Sequence, residues 1–511
     1  MHASHVDGKG MIPMKSWALL PIVLVGCSSA VDSEVLGKKG NVPGAAGTGG
    51  SGETTKPASA LFVATDVTIT EVALFQGVKL SLMKDGAAGK NTYASAVAGR
   101  GGLVRVYLKL GQSYTARSLT AELTLRSPDG TDTIRQSKLT VSQNSTDSSL
   151  TSTLNFTLAA ADIAAGSSFK VRILNDTLIT TIEGAPAQYP DDNSVASFNA
   201  VASGKLRVKL VPVRYDADGS GRLPDTSAEQ VERYRTAFME QYPVTDVEVT
   251  VRDAIAWTSA IGANGSGFDD VLEEMVYVRA SDRPSSDVYY MGIFAPTSSF
   301  QKYCGGGCVT GLSGLVYNAS DSQGRASVGV GFSGTSSADT SVHEVGHAHG
   351  REHSPCGTSG SRNYPYANGA IGSWGYGILS KKLYSSTSYS DFMGYCNPTW
   401  VSDYTYGALL TRVKAVSPLT KSFALPGGEY RFVKINADGN LRWGRSVTLP
   451  EAPTNTPTAI RAIEGNGTIR NVTGYYYPFA ETAGGYMLVR KSDVSGKRIE
   501  IDLEGATRTL Q

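Results

Sequence analysis

The stretch His343-Glu344-Val345-Gly346-His347-Ala348-His349-Gly350-Arg351-Glu352-His353 constrains this chain more than any other. Its frame is H-E-x-x-H-x-x-G-x-x-H. On a helix, His343 and His347 stand a turn apart on one face. Two neutral imidazoles at that spacing can grip one zinc ion, and Glu344 then lies near the metal. A helix that ran on could not aim His353 at the same point. Gly350 adopts the left-handed conformation at low steric cost, so the chain can turn there and bring His353 back as a third ligand. Three protein ligands leave a fourth position for water, which is the catalytic rather than the structural arrangement. A bare H-E-x-x-H can arise on any amphipathic helix. Here the only other histidines are His2 and His5, at the extreme N-terminus. His349, two positions from His347, points to a different face and reads as a packing or exposed residue, not a ligand.

Downstream runs Ser390-Asp391-Phe392-Met393-Gly394-Tyr395. With the histidine frame, this resembles the signature of the metzincin clan of zinc endopeptidases, whose second element is a Met-turn. The resemblance covers roughly residues 205–417. It implies that Met393 forms a hydrophobic floor beneath the metal. It also implies that Tyr395 serves as an extra zinc ligand or transition-state donor, as in the astacin-like and serralysin-like branches. Outside the motifs the chain is most similar to bacterial secreted metzincins of the mucin-cleaving type. Taken alone, Met393 and Tyr395 would read as core residues.

The N-terminus reads as an export signal. Met14-Lys15 is followed by an apolar run, 17–25, too short to span a membrane. It ends in Leu24-Val25-Gly26-Cys27, which resembles the lipobox of bacterial lipoproteins and implies lipidation at Cys27. An ordinary cleaved signal with an incidental cysteine is the alternative. Residues 28–60, rich in Gly and poor in large apolar side chains, read as a tether. The expected location is the bacterial cell envelope, lipid-anchored and extracytoplasmic, or else secreted. A net charge of +1 speaks against a nucleic-acid partner.

At 511 residues, the chain has room for roughly three domains of about 150 residues. The expected fold class is multidomain: an α+β metzincin-like catalytic domain flanked by N-terminal and C-terminal β-sandwich-like domains. Residues 1–27 form the signal and 28–60 the linker. Residues 61–203 form an immunoglobulin-like sandwich, read from alternation at Val104, Val106, Leu108 and Leu110. Residues 204–417 form the catalytic domain, and 418–511 a second β domain. Within 204–417, strand and helix patterns alternate. Ser227 with Gln230 reads as a capping box, and 268–278 and 402–416 as helices. The strand at 326–332 is expected to form the upper edge of the cleft and to pair with extended substrate. Tyr364-Pro365-Tyr366 and Trp374-Gly375-Tyr376 either line a specificity pocket or pack the lower half-domain. Trp443 and Tyr475-Tyr476-Tyr477 read as core aromatics rather than a binding platform. Asp216-Ala217-Asp218-Gly219-Ser220-Gly221 resembles the start of a calcium loop but lacks the twelfth-position glutamate. A tight polar turn is the preferred reading, with Ca2+ as the alternative.

Four cysteines remain once Cys27 is set aside, in a chain expected to be exported. Three pairings are possible. Cys304 with Cys308 and Cys356 with Cys396 are favoured, because the second pair would staple the segment after His353 to the segment after Met393. A zinc-tetrathiolate is the rival. The expected function is a zinc endopeptidase acting on proteins or glycoproteins, with His343, His347 and His353 as ligands and Glu344 as general base. A non-enzymatic surface adhesin with a structural zinc, or hydrolysis of cell-wall peptides, are the competing readings.

Overall fold

The computed structural model describes residues 61–176, 184–416, 425–503 and 505–511. The expected export signal, the tether and Cys27 lie outside the described residues. The molecule is built of several sheets and is mostly β, with six α-helices among the described residues.

Alternation within the strand Leu206–Tyr215 (β1) sets the middle of the molecule. Leu206, Val208 and Leu210 are buried in one core cluster, whereas Val211, Val213 and Tyr215 are buried in another. A strand apolar on both faces needs a layer on each side. The helices Ala228–Gln241 (α1) and Thr335–Ala348 (α3) contribute Tyr234, Phe238, Val342 and Val345 to the first face. The helix Phe268–Asp282 (α2) contributes Phe268, Val271, Leu272 and Met275 to the second.

The other strands of this central sheet are Val247–Val251 (β2), Ile255–Trp257 (β3), Val288–Phe294 (β4), Gly311–Ser313 (β5) and Ala326–Val330 (β6). Their order is β2-β1-β4-β6-β5, with β3 also paired to β1. All pairs are parallel except β5 with β6, which is antiparallel. This corrects the expectation for 326–332: β6 is interior, and the cleft-side edge is β5. A three-residue strand of Gly, Leu and Ser carries too little alternation to be read from sequence.

Residues 62–175 form two antiparallel sheets. One is ordered Phe62–Val63, Ser168–Asn175, Arg117–Arg126, Asp132–Val141. The other contains Gly77–Lys84, Val67–Phe75, Gly102–Leu110 and Leu154–Leu158. Their inward side chains, including Val72, Leu74, Leu119, Leu123 and Val171, are continuous with the first face of the central sheet. The second sheet also recruits Gly375–Tyr376 and Leu383–Tyr384. Tyr376 therefore packs edge-on against Phe75, and Trp400 Nε1 donates to Gly77 O (2.8 Å). For Trp374-Gly375-Tyr376, packing is the reading these contacts describe, and it is against the N-terminal sheet rather than the lower half-domain.

The C-terminal strands form one seven-stranded antiparallel sheet that includes Pro426–Ile435, Ile469–Pro478 (β7) and Gly485–Arg490. Its Tyr430, Phe432, Tyr477, Tyr486 and Leu488 lie in the core cluster of α2. Polar pairs pin the two together. Asp321, fully buried, accepts from Tyr477 Oη (2.7 Å) and from the amides of Thr454 (2.6 Å) and Asn455 (2.8 Å). Lys434, also buried, pairs with Glu273 (2.7 Å) and Asp270.

Candidate metal centre

Helix α3 exists because Ala338, Val342, Val345 and Ala348 recur at helical spacing and bury one stripe. His343 and His347 stand on another face. Neither ring is free to turn. His343 Nδ1 lies 2.7 Å from Phe392 O, and His347 Nδ1 lies 2.5 Å from Arg351 O. A carbonyl can only accept, so both Nδ1 atoms carry the proton and both Nε2 lone pairs are presented.

The helix ends as the motif requires. Gly350 has φ +79°, its amide donates to His347 O (2.7 Å), and the Arg351 amide donates to Gly346 O (3.0 Å). These are the two bonds of a Schellman ending with glycine in the left-handed position. Three residues on, Ser354 N donates to Met393 O (2.9 Å), which sets His353 over the turn at Met393. The three rings then close around one point, with centroids 4.6, 4.7 and 5.3 Å apart.

Met393 is buried, and a Cβ on Gly346 would fall 2.5 Å from its Sδ. The methionine thus lies under α3 beside His347. Its turn is organised by Asp391, a residue sequence reasoning passed over. This buried carboxylate accepts from Met393 N (2.8 Å) and Ser402 N (2.9 Å). Aspartate bonding the amide two residues on is a local turn signal that could have found it. Both favoured disulfides are present, Cys304–Cys308 and Cys356–Cys396. The second joins the His353 segment to the turn at Met393, and Tyr395 N donates to Cys356 O (2.8 Å) beside it. Tyr395 is 41% exposed, and its ring centroid is 4.9 Å from that of His353. Burial of the hydroxyl and the nearby Glu481 and Glu344 carboxylates raise its pKa.

Glu344 is buried under β5, where Gly311 faces it without a side chain; any Cβ there would collide with the carboxylate. Burial, and then the negative charge of Glu481, push its pKa well up. Burial holds His347 down to about 4. His349 is buried too, stacked on Tyr289 with centroids 4.1 Å apart, and has no part in the cluster.

The cluster has a member the motif does not predict. Glu481, at the tip between β7 and Gly485–Arg490, places Oε1 2.8 Å from His347 Nε2, 3.1 Å from His343 Nε2 and 3.4 Å from His353 Nε2. Burial raises its pKa, but the neighbouring His347, and then contact with all three imidazoles, outweigh this and hold it well below the carboxylate range. No spacing rule links Glu481 to the histidine frame, since tertiary docking alone brings it there.

These donors fit a zinc ion. The three histidines and Glu481 each offer one ligand atom, all within 4.8 Å of one another. Nitrogen and carboxylate oxygen are the ligands zinc takes. His353 Nε2 and Glu481 Oε2 are buried without a hydrogen-bond partner, a cost that a cation at the centre would relieve. The 216–221 loop, by contrast, is explained without one. Asp218 pairs with Arg222, and Asp216 accepts from Gly221 N (3.0 Å).

The chain matches no curated protein. Glu481 lies beyond the segment that resembles a known family. A family model described as Peptidase M66, a zinc metallopeptidase family, matches residues 282–399, which carry His343, His347, His353 and Met393, and with the cluster of donors this supports a zinc-dependent peptidase.

Proposed function

We propose that this chain is an extracytoplasmic zinc endopeptidase of the metzincin type, held to the cell envelope through Cys27, with a catalytic region at 204–417 between β domains. The observation that carries the peptidase reading is the buried, partnerless Glu344 Oε2 beside three converging imidazoles. His343, His347 and His353 would hold the ion. When bound, zinc supplies Lewis acidity toward a water and the scissile carbonyl. Glu344 takes the proton of the attacking water and passes it to the leaving amine. Its depth under β5 excludes bulk water from that transfer. Tyr395, at the rim, donates its hydroxyl proton in a hydrogen bond to the developing oxyanion. Protein or glycoprotein is the substrate class.

One observation favours a second reading. Three histidines with Glu481 make four protein ligands, the closed set of a structural site, which suits an adhesin. A general base has no use in such a site, and Glu344 is a poor residue to bury for packing alone. The test is digestion of casein and a glycoprotein panel by the zinc-loaded chain, with and without a chelator. Chelator-sensitive cleavage restored by zinc supports the peptidase. Tight glycoprotein binding with no cleavage, by the parent and by Glu481→Ala, supports the adhesin.

A further inference from the structure

The tip at 478–484 does more than bring Glu481 to the histidines. Leu315 N donates to Pro478 O (2.8 Å), and Ala480 N donates to Ser313 O (3.1 Å). Gly314 and Phe479 form an antiparallel bridge between these two bonds. Residues 478–480 therefore continue the central sheet beyond its open edge, β5. An extended peptide added to that edge would need the same backbone donors and acceptors. Glu481 follows at once and delivers its carboxylate to the point where the Nε2 atoms converge.

A cleft of ≈480 Å3 opens beside the tip, lined by His347, His353, Glu352, Arg362 and Ala480. The cleft is built and the base Glu344 is in place, yet the ligand set is full. The body of the C-terminal sheet is pinned through Asp321, Asn455 and Lys434. The tip is held beside the central sheet by the Leu315 and Ala480 backbone bonds, and to the three histidines by Glu481. Its own closure runs through Gly484, at φ +98°, whose carbonyl accepts from Phe479 N (3.1 Å). The tip can thus leave while the sheet beneath it stays docked.

We propose that Glu481 is a displaceable fourth metal ligand, and that residues 478–481 keep the enzyme latent by lying where an extended peptide substrate lies. This rests on the peptidase reading above. The partner that opens the site is a peptide strand able to take over the β5 edge.

The test uses the full zinc-loaded chain as parent, Glu481→Ala and Ala480→Pro, the last removing the amide that bonds Ser313. Zinc content is measured, then binding of acetohydroxamate, a small bidentate zinc chelator, by calorimetry. A tip closed nine-tenths of the time or more lowers apparent affinity about tenfold or more. Both variants should keep zinc, bind acetohydroxamate at least about that much tighter than the parent, and cleave casein faster. Equal acetohydroxamate affinity in all three overturns the proposal. Loss of zinc from Glu481→Ala, with the parent loaded, also overturns it, because Glu481 is then a permanent ligand. A parent that takes up no zinc contradicts the peptidase reading itself and removes the proposal with it.

Discussion

Gly311 leaves the space that the Glu344 carboxylate fills. The edge strand and the Glu344 carboxylate are therefore coupled, although they lie on different elements. Any side chain at position 311 meets Glu344 before it meets solvent. Gly311→Ala should keep zinc, since no ligand moves, but displace the base by a fraction of an ångström to an ångström. Misplacement on that scale costs about 10²-fold in rate. Zinc content unchanged with kcat down about that far is the expected pair of readings. Full activity would mean that Glu344 is not where catalysis needs it.

Gly350→Ala addresses the helix ending. The residue sits at φ +79°, and an added Cβ would lie 2.7 Å from Val316 O and against Arg412. Left-handed backbone alone costs a non-glycine residue about 1–2 kcal/mol, and the contact adds to it. A lowered Tm and weaker zinc retention are expected together, because His353 follows directly from this turn.

Removal of the Cys356–Cys396 bridge by a double Cys→Ser change should be costlier. Its partners are 40 residues apart in sequence, and loop-closure entropy for a ring of that size is about 4 kcal/mol. Denaturant unfolding under non-reducing conditions measures it. The bridge joins the segment after His353 to the turn at Met393, so zinc affinity should fall with stability.

Lys434→Met tests the docking of the C-terminal sheet. The ammonium is 3% exposed, and its removal leaves Glu273, itself 7% exposed, with only the Arg445 guanidinium, 3.8 Å away, as a cation. Breaking such a pair costs about 2–4 kcal/mol, discounted for the exposed Asp269 and Asp270. Unfolding of the C-terminal region ahead of the rest is the expected signature in hydrogen exchange.

Local patterns made much of this molecule legible. His343, His347, Gly350 and His353 stand in one short stretch whose spacing specifies a helix, a turn and a return, and these are the elements observed. The long strands and helices of the central sheet carried clear alternation or helical periodicity. The helices predicted at 268–278 and 402–416 correspond to Phe268–Asp282 and Asp403–Val416. The cysteine pairing could be argued from residues flanking the same two motifs. What failed was short or non-local. Gly311–Ser313 is too brief to alternate, so the edge was assigned to 326–332. Gln230 was read as half of a capping box. Ser227 does cap α1, but the Gln230 side chain bonds the backbone of Gly334, ahead of α3. Glu481 reaches the site only because a separate sheet docks through Asp321 and Lys434, and nothing local to Phe479-Ala480-Glu481 announces it.

The central claim concerns Glu344, and one substitution isolates it. Glu344→Gln keeps the shape of the side chain and removes the base, while His343, His347 and His353 remain as ligands. The peptidase account predicts a folded protein that retains about one zinc per chain, as the ligand set requires. It predicts casein hydrolysis lower by about 10²–10⁴-fold, the usual worth of a general base. His347→Ala should instead lose metal and activity together. Casein cleavage by Glu344→Gln at the parent's rate, with zinc bound, would contradict the account.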